Sequence, residues 1–422
     1  MRPLRRLALL ALPLAAAVAG ACRGQTAPKH DAAPAGIDWS RVTSRDLDIA
    51  AVFRVARDHG VRAALDSLSE LARADPQLEP LGHQVAHGLG RYAVARRGYD
   101  AAVFAECRPV FFSGCYHGVL EGWLAGHPGA TSASVRGLCA SAAMAALPPY
   151  AFRECAHGLG HGLTALHPDD PLAALPDCDA TFPGELARRE CWDGVFMENV
   201  VKGMGTVAFD VHDAASGHAH APTRAARPLP KAGDPAFPCD SVGAAHGPSC
   251  WAYQPVVLFT ALGGDLERIA RTCDAAPSGS AGACWRGIGK QTLGRMPERP
   301  DSVARVCAAS AAHSADCVGG MVEFYVDQAW KVDDALTFCA RAPQALRDAC
   351  FRAVGERIAW IDPAPAAIRA ACAGAGAHAA VCVRAAEAER VADVIPHPSA
   401  AAPAAPGPPP PAAAAHPAHA SP

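Results

Sequence analysis

Sixteen of the seventeen cysteines in this 422-residue chain fall into close pairs, and the spacing between pairs is nearly constant. The pairs are 107/115, 139/155, 178/191, 239/250, 273/284, 307/317, 339/350 and 372/382. From the second cysteine of one pair to the first of the next the intervals are 24, 23, 48, 23, 23, 22 and 22 residues. One outlier apart, that is a unit of fixed length, the mark of a repeat architecture. An even set of cysteines this dense belongs to an exported chain whose thiols are paired. No C-x-x-C occurs, which argues against zinc ribbons, thioredoxin chemistry and c-type haem attachment.

Each unit reads as helix, turn, helix. In "CWRGIGKQTLGRMPERPDSVARVCAAS", from Cys284, a helix is expected to about Leu293, "RMPERP" breaks it, and Asp301 is the expected N-cap of a second helix ending just past Cys307. Few runs alternate as strands do. The expected class is therefore all-α: a curved α/α array of about nine helix pairs, stapled by up to eight local disulfides. Local pairing is the simplest connectivity, although spacing alone leaves others open. It joins Cys107 to Cys115, Cys139 to Cys155, Cys178 to Cys191, Cys239 to Cys250, Cys273 to Cys284, Cys307 to Cys317, Cys339 to Cys350 and Cys372 to Cys382. Each such loop is worth about 2.5–3 kcal/mol in the loop-entropy picture. Over residues 107–390 the layout resembles the disulfide-bridged, tetratricopeptide-like repeats of secreted cysteine-rich bacterial proteins. That resemblance implies an architecture and no particular activity.

The ends read differently. Residues 1–21 form an export signal: Arg2, Arg5 and Arg6 precede a 13-residue apolar run, Leu7 to Ala19, too short to span a bilayer. The following "AGAC" resembles a lipobox, with Ala19 where leucine is usual, so Cys22 is the expected lipidation site. The alternative is ordinary cleavage after Ala21 that leaves Cys22 a free thiol. Residues 22–40 are then a tether, 41–395 the repeat domain, and 396–422 a Pro/Ala/His tail unable to bury a core. The 48-residue interval marks an insertion at about 203–238 that carries His212, His218 and His220. The expected location is the bacterial cell envelope, the membrane being reached through the lipid. Net charge is −3 and the mature part has no basic run, which excludes nucleic acid as an expected partner. An envelope protein or a small-molecule ligand remains.

Aligned on the second cysteine of each pair, the second helices differ at one column. Two residues after the cysteine position stand His87, His117, His157 and Asp193, each followed by glycine, and then Ala252, Arg286, Gly319, Arg352 and Arg384. A requirement of the repeat would appear in every unit; this one is confined to 81–200, which points to a local site. His83 lies four residues before His87, Glu121 four after His117, His161 four after His157, and Glu198 five after Asp193. Residues four apart share a helix face, and two histidines at that spacing are how helical zinc sites are built. The expected metal set is thus His83, His87, His117, Glu121, His157, His161, Asp193 and Glu198. Zinc is the first choice because imidazole dominates, with iron or copper as alternatives. Glu121 and Glu198 double as catalytic bases if the site is enzymatic. Packed helices lie about 8–10 Å apart. One ion therefore cannot collect ligands from four helices in a flat row: the array must curve, or the ligands must serve two ions. Gly88, Gly118, Gly158 and Gly194, with Gly160 and Gly162, are expected to make room around the cluster. The alternative function is a helical-repeat scaffold of the envelope, binding a protein on a concave face without catalysis.

Overall fold

A computed structural model describes residues 44–75, 78–141, 144, 146–148, 150–167, 170–203, 231, 233–297 and 299–392. The signal, Cys22 and its tether, the centre of the insertion with His212, His218 and His220, and the tail lie outside the described residues. Helices run Ser44–His59 (α1), Val61–Ala74 (α2), Glu79–Arg97 (α3), Ala101–Glu106 (α4), Gly114–Gly126 (α5), Ser132–Cys139 (α6) and Tyr150–Leu166 (α7). They continue as Ala174–Thr181 (α8), Glu185–Gly203 (α9), Gly247–Ala261 (α10), Leu266–Asp274 (α11), Ala281–Arg295 (α12) and Pro300–Ala309 (α13). The last five are Ser314–Ala329 (α14), Asp333–Arg341 (α15), Arg347–Ile361 (α16), Pro365–Cys372 (α17) and Ala379–Ala392 (α18). The described residues contain no β-strand, only an isolated bridge between Lys231 and Asp234.

The fold is the all-α array of helix pairs. Each second helix (α3, α5, α7, α9, α10, α12, α14, α16, α18) packs on the next. The helices form for ordinary reasons. In α2, Val61, Ala64, Leu65 and Leu68 repeat at helical spacing and are the buried face. In α13 the expected cap is displaced: Pro300 takes the first helical position, which its fixed φ suits, so Arg299 is the cap and Asp301 sits in the first turn. In the fifth unit turns over 233–246 replace the first helix, and Cys239 lies in them.

All eight disulfides are the local ones, with Cα–Cα distances of 5.3–5.7 Å. Every bridged cysteine is buried. Indoles reinforce three of the staples. Trp192 and Trp285 donate to Asp179 and Asp274, the residues after Cys178 and Cys273, and Trp251 donates to the Cys239 carbonyl. In these three units the second helix is thereby tied to the segment before it by a covalent and a hydrogen bond.

The second helices approach each other at glycine. A Cβ on Gly118 would collide with the His87 carbonyl oxygen, one on Gly160 with Cys191 O, and one on Gly194 with His157 O. The same collision waits at Gly289, Gly320 and Gly355, in units without a histidine column. The glycines are therefore a packing device of the repeat, and the expectation that they serve the histidine site is corrected to that extent. The array also curls on itself. Backbone N–H groups of Phe111 and Phe112, just before α5, donate to the carbonyls of Gln328 and Asp327 at the end of α14. These carbonyls have no partner within their own helix. Arg153 of α7 lies 3.4 Å above the Trp360 ring of α16 and 3.7 Å from Glu389 of α18.

Two measurements check this frame. Non-reducing peptide mapping is expected to recover only the eight local pairs; a bridge such as Cys115–Cys139 contradicts it. Gly118→Ala or Gly160→Ala is expected to cost at least the ~1–3 kcal/mol typical of overpacking, because the obstacle is backbone. Gly137→Ala, in α6 with open space around it, is expected to be neutral or stabilising. Equal melting temperatures for the three variants would remove the close-crossing account.

Candidate metal centre

Three adjacent second helices bring the histidines together. His83 and His87 project from α3, His117 and Glu121 from α5, His157 and His161 from α7, and Glu198 joins from α9. Rings of successive units stack: His117 lies 4.7 Å from His157 and 4.6 Å from His161, centroid to centroid. Three groups have ligand atoms all within 4.8 Å of one another: His83/His87/His117, His117/His157/His161 and His87/Glu121/His161. Each of these can hold a metal ion.

Hydrogen bonds set the orientation of the rings. His83 Nδ1 donates to Phe111 O at 2.8 Å. His87 Nδ1 lies 2.9 Å from Glu121 Oε1, and His161 Nδ1 lies 2.8 Å from Glu198 Oε2. A carboxylate or carbonyl on Nδ1 fixes the tautomer and leaves Nε2 with a free lone pair, the arrangement that supports metal-bound histidine. Those lone pairs turn inward. His87 Nε2 is 3.0 Å from His83 Nε2 and 3.3 Å from His117 Nδ1. The Nε2 atoms of His117, His157 and His161 are buried with no hydrogen-bond partner among the described residues. An unsatisfied buried polar group costs about 1–3 kcal/mol, and these three belong to histidines of one candidate group.

The electrostatics agree. Burial, together with the charges of neighbouring imidazoles, holds His83, His117 and His157 well below the usual histidine range, so they stay neutral as ligands must. Burial alone would raise Glu121, but the charge and hydrogen bond of His87, with Arg91 and His161, keep it well below the usual carboxylate range. Arg91 Nη1 reaches Glu121 Oε2 at 2.5 Å.

Asp193 does not enter these groups. It stands in the ligand column but is half-buried beside Glu190 and Ser249, and desolvation with the Glu190 charge pushes it up to about 7. Two carboxylates that sequence reasoning passed over are closer. Glu154 Oε2 is 3.4 Å from His117 Nε2, though not aligned for a hydrogen bond, and Glu190 Oε2 is 4.0 Å from His157 Nδ1. Both stand immediately before the second cysteine of their pair, three residues ahead of His157 and Asp193 and so on the same face. That spacing was the available signal. Nothing local announced Phe111 O. Phe111, Phe112 and Ser113 all have positive φ, at 53°, 52° and 59°. Such backbone is costly for residues other than glycine and gathers at functional sites.

The rest of the inner face is charged rather than apolar. Arg286 pairs with Glu323 at 2.7 Å, and Lys290 and Arg357 each reach Asp327 at 3.1 Å. Lys290 and Glu323 occupy the register position of Glu121 and His161, so ion pairs replace imidazoles along the same column. Comparison with protein-family models, with curated proteins and with solved structures gave no match for this chain.

A pH dependence follows for the metal-free protein. Burial, then the charges of Glu190 and Asp327, push Glu154 up to about 8. Between the ordinary carboxylate value and those raised values the folded chain keeps protons on Glu154 and Asp193 that the unfolded chain has released, so these groups lose stability as pH rises. The three depressed histidines act oppositely: below the ordinary value of 6.5 the unfolded chain takes up protons the folded one refuses, and stability falls with pH. The melting temperature is expected to peak at about pH 6–7, and Glu154→Gln is expected to flatten the decline between that peak and pH 8. An unchanged alkaline limb in that variant would refute the assignment to Glu154.

Proposed function

We propose that this chain is an exported metal-binding protein, with zinc as the first-choice ion on His117, His157 and His161 and with Glu121 and Glu198 orienting the ligand rings. The observation that supports it most is that the three histidines of one candidate group each carry a buried, partnerless Nε2. Iron and copper accept the same imidazole donors. When bound, such an ion supplies a Lewis acid, and a metal-bound water is acidified to about pKa 7. One observation favours an enzymatic reading: each imidazole group offers three nitrogens rather than four, and a three-ligand site leaves a coordination position for substrate. Glu154, beside His117, is then the nearest carboxylate able to act as a base. The scaffold reading has less support, because the inner face is covered by its own contacts at Phe111, Phe112 and Arg153.

Eight disulfides suit an oxidising extracellular or periplasmic compartment. Within that, we place the protein in the cell envelope, anchored through lipid on Cys22. Cys22→Ser is expected to move it from the membrane to the soluble fraction; a wild-type protein already soluble, with an unmodified Cys22 at its mature end, contradicts the anchor.

Protein purified with its disulfides intact is expected to retain zinc through gel filtration. Glu198→Gln keeps an oxygen near His161 Nδ1 but removes the charge, and is expected to weaken zinc about 10–100-fold, the usual effect of losing such a supporting carboxylate. Zinc affinity unaltered in Glu198→Gln and in His161→Ala would overturn the assignment. A folded protein that takes up no metal would turn the same pocket over to metal-free proton transfer or ligand binding.

A further inference from the structure

We propose that the cluster is a two-ion centre in which His117 is the bridge, its Nδ1 bound to one ion with His83 and His87, and its Nε2 bound to the other with His157 and His161. This rests on the metal-binding reading above and deepens it. Two of the three-ligand groups share His117 and no other residue. The two nitrogens of an imidazole point away from one another, so one ring cannot offer both to the same ion. In this ring the two are committed to different neighbours. Nδ1 faces His87 Nε2 at 3.3 Å, while Nε2 is buried without a hydrogen bond, 3.4 Å from Glu154 Oε2.

The first triad needs a cation for its own reason. His83 spends its N–H on Phe111 O, and His87 directs Nδ1 at Glu121. Both rings therefore present bare Nε2 lone pairs, and these face each other at 3.0 Å. Two acceptors at that distance repel unless a proton or a metal ion lies between them. A tetrahedral ion with bonds of about 2.0–2.1 Å separates its nitrogens by roughly 3.4 Å. The distances of 3.0 and 3.3 Å around His87 Nε2 are close to that spacing. The second triad carries its own orphaned nitrogens, so neither site borrows its justification from the other.

The surroundings suit two cations. Four carboxylates, those of Glu121, Glu154, Glu190 and Glu198, lie 2.8–4.0 Å from the imidazole nitrogens. Glu121 Oε1 serves both sides: it lies 2.9 Å from Nδ1 of His87 in one triad and 3.8 Å from Nδ1 of His161 in the other. The chemistry balances without an oxidant. Neutral His117 carries one N–H. As the second ion binds, that N–H bond breaks, its proton leaves to solvent, and the electron pair forms the second metal–nitrogen bond, leaving an imidazolate between the ions.

The test uses the full disulfide-bonded chain, stripped with chelator and reloaded with Zn(II) or Cu(II). Native mass spectrometry is expected to show two ions per chain. With two Cu(II) ions the paramagnetic resonance signal is expected to fall well below that of two independent spins, because an imidazolate couples them antiferromagnetically. Loading one Cu(II) and one Zn(II) is expected to restore the signal of a single spin. His83→Gln and His157→Gln, at opposite ends of the cluster, are each expected to bind one ion, with full single-spin intensity for copper; the pair guards against one variant misfolding. A wild-type chain that saturates at one ion overturns the bridge and leaves the metal-binding reading intact. Two ions with two uncoupled spins also overturn it. A correctly folded wild-type chain that binds none refutes the metal-binding reading itself.

Discussion

Most neighbouring second helices in this protein touch backbone to backbone, and the rest of the structure depends on that contact. Where a glycine lies against the carbonyl of the preceding unit, as Gly118 does against His87 and Gly194 against His157, no side chain separates the helices. Side chains one step along the array then meet directly, which is how imidazoles from α3, α5 and α7 stack within ligand distance. Glycine costs a helix about 1 kcal/mol relative to alanine, and the alanine-rich chain carries that cost repeatedly. The disulfides, joined in three units by an indole hydrogen bond, hold the two segments of each bridged unit together.

The inner face that results carries many charged groups, most of them half-buried. Buried charge is tolerated when it is paired or bound to metal. The C-terminal half follows the first route, with Arg286, Lys290 and Arg357 matched to Glu323 and Asp327. The N-terminal half instead gathers imidazoles held neutral by burial, a set that could hold a metal ion. The strained turn at Phe111–Ser113 connects the halves: its carbonyl fixes the His83 ring, and its amides cap the end of α14. A change in that contact therefore bears on the cluster without touching a ligand.

Much of this was legible in the cysteines. Their intervals gave the unit and made local pairing the simplest connectivity, while the scarcity of alternating runs pointed to the all-α class. The histidine column gave His83, His87, His117, His157 and His161, since register on equivalent helices places residues on equivalent faces. What failed to show was tertiary. Asp193 shares the column, but of its helix it is Glu198 that reaches the rings, and Asp193 sits half-buried beside Glu190 instead. Glu154 and Glu190 were in view yet unread, because the face they share with the histidines is seen only at a spacing of three. Asp301 lost the cap of α13 to Arg299, because Pro300 takes the first helical position. The curl that sets Arg153 on Trp360 depends on angles between helices, which no single unit encodes.

X-ray absorption at the zinc edge of the disulfide-intact protein tests the central claim most directly. The account predicts a first shell of imidazole nitrogen at about 2.0–2.1 Å, lost in a variant lacking His117 and His161. A shell containing sulfur at about 2.3 Å, the distance of a zinc–thiolate bond, would contradict it, as would zinc bound just as tightly after both histidines are removed.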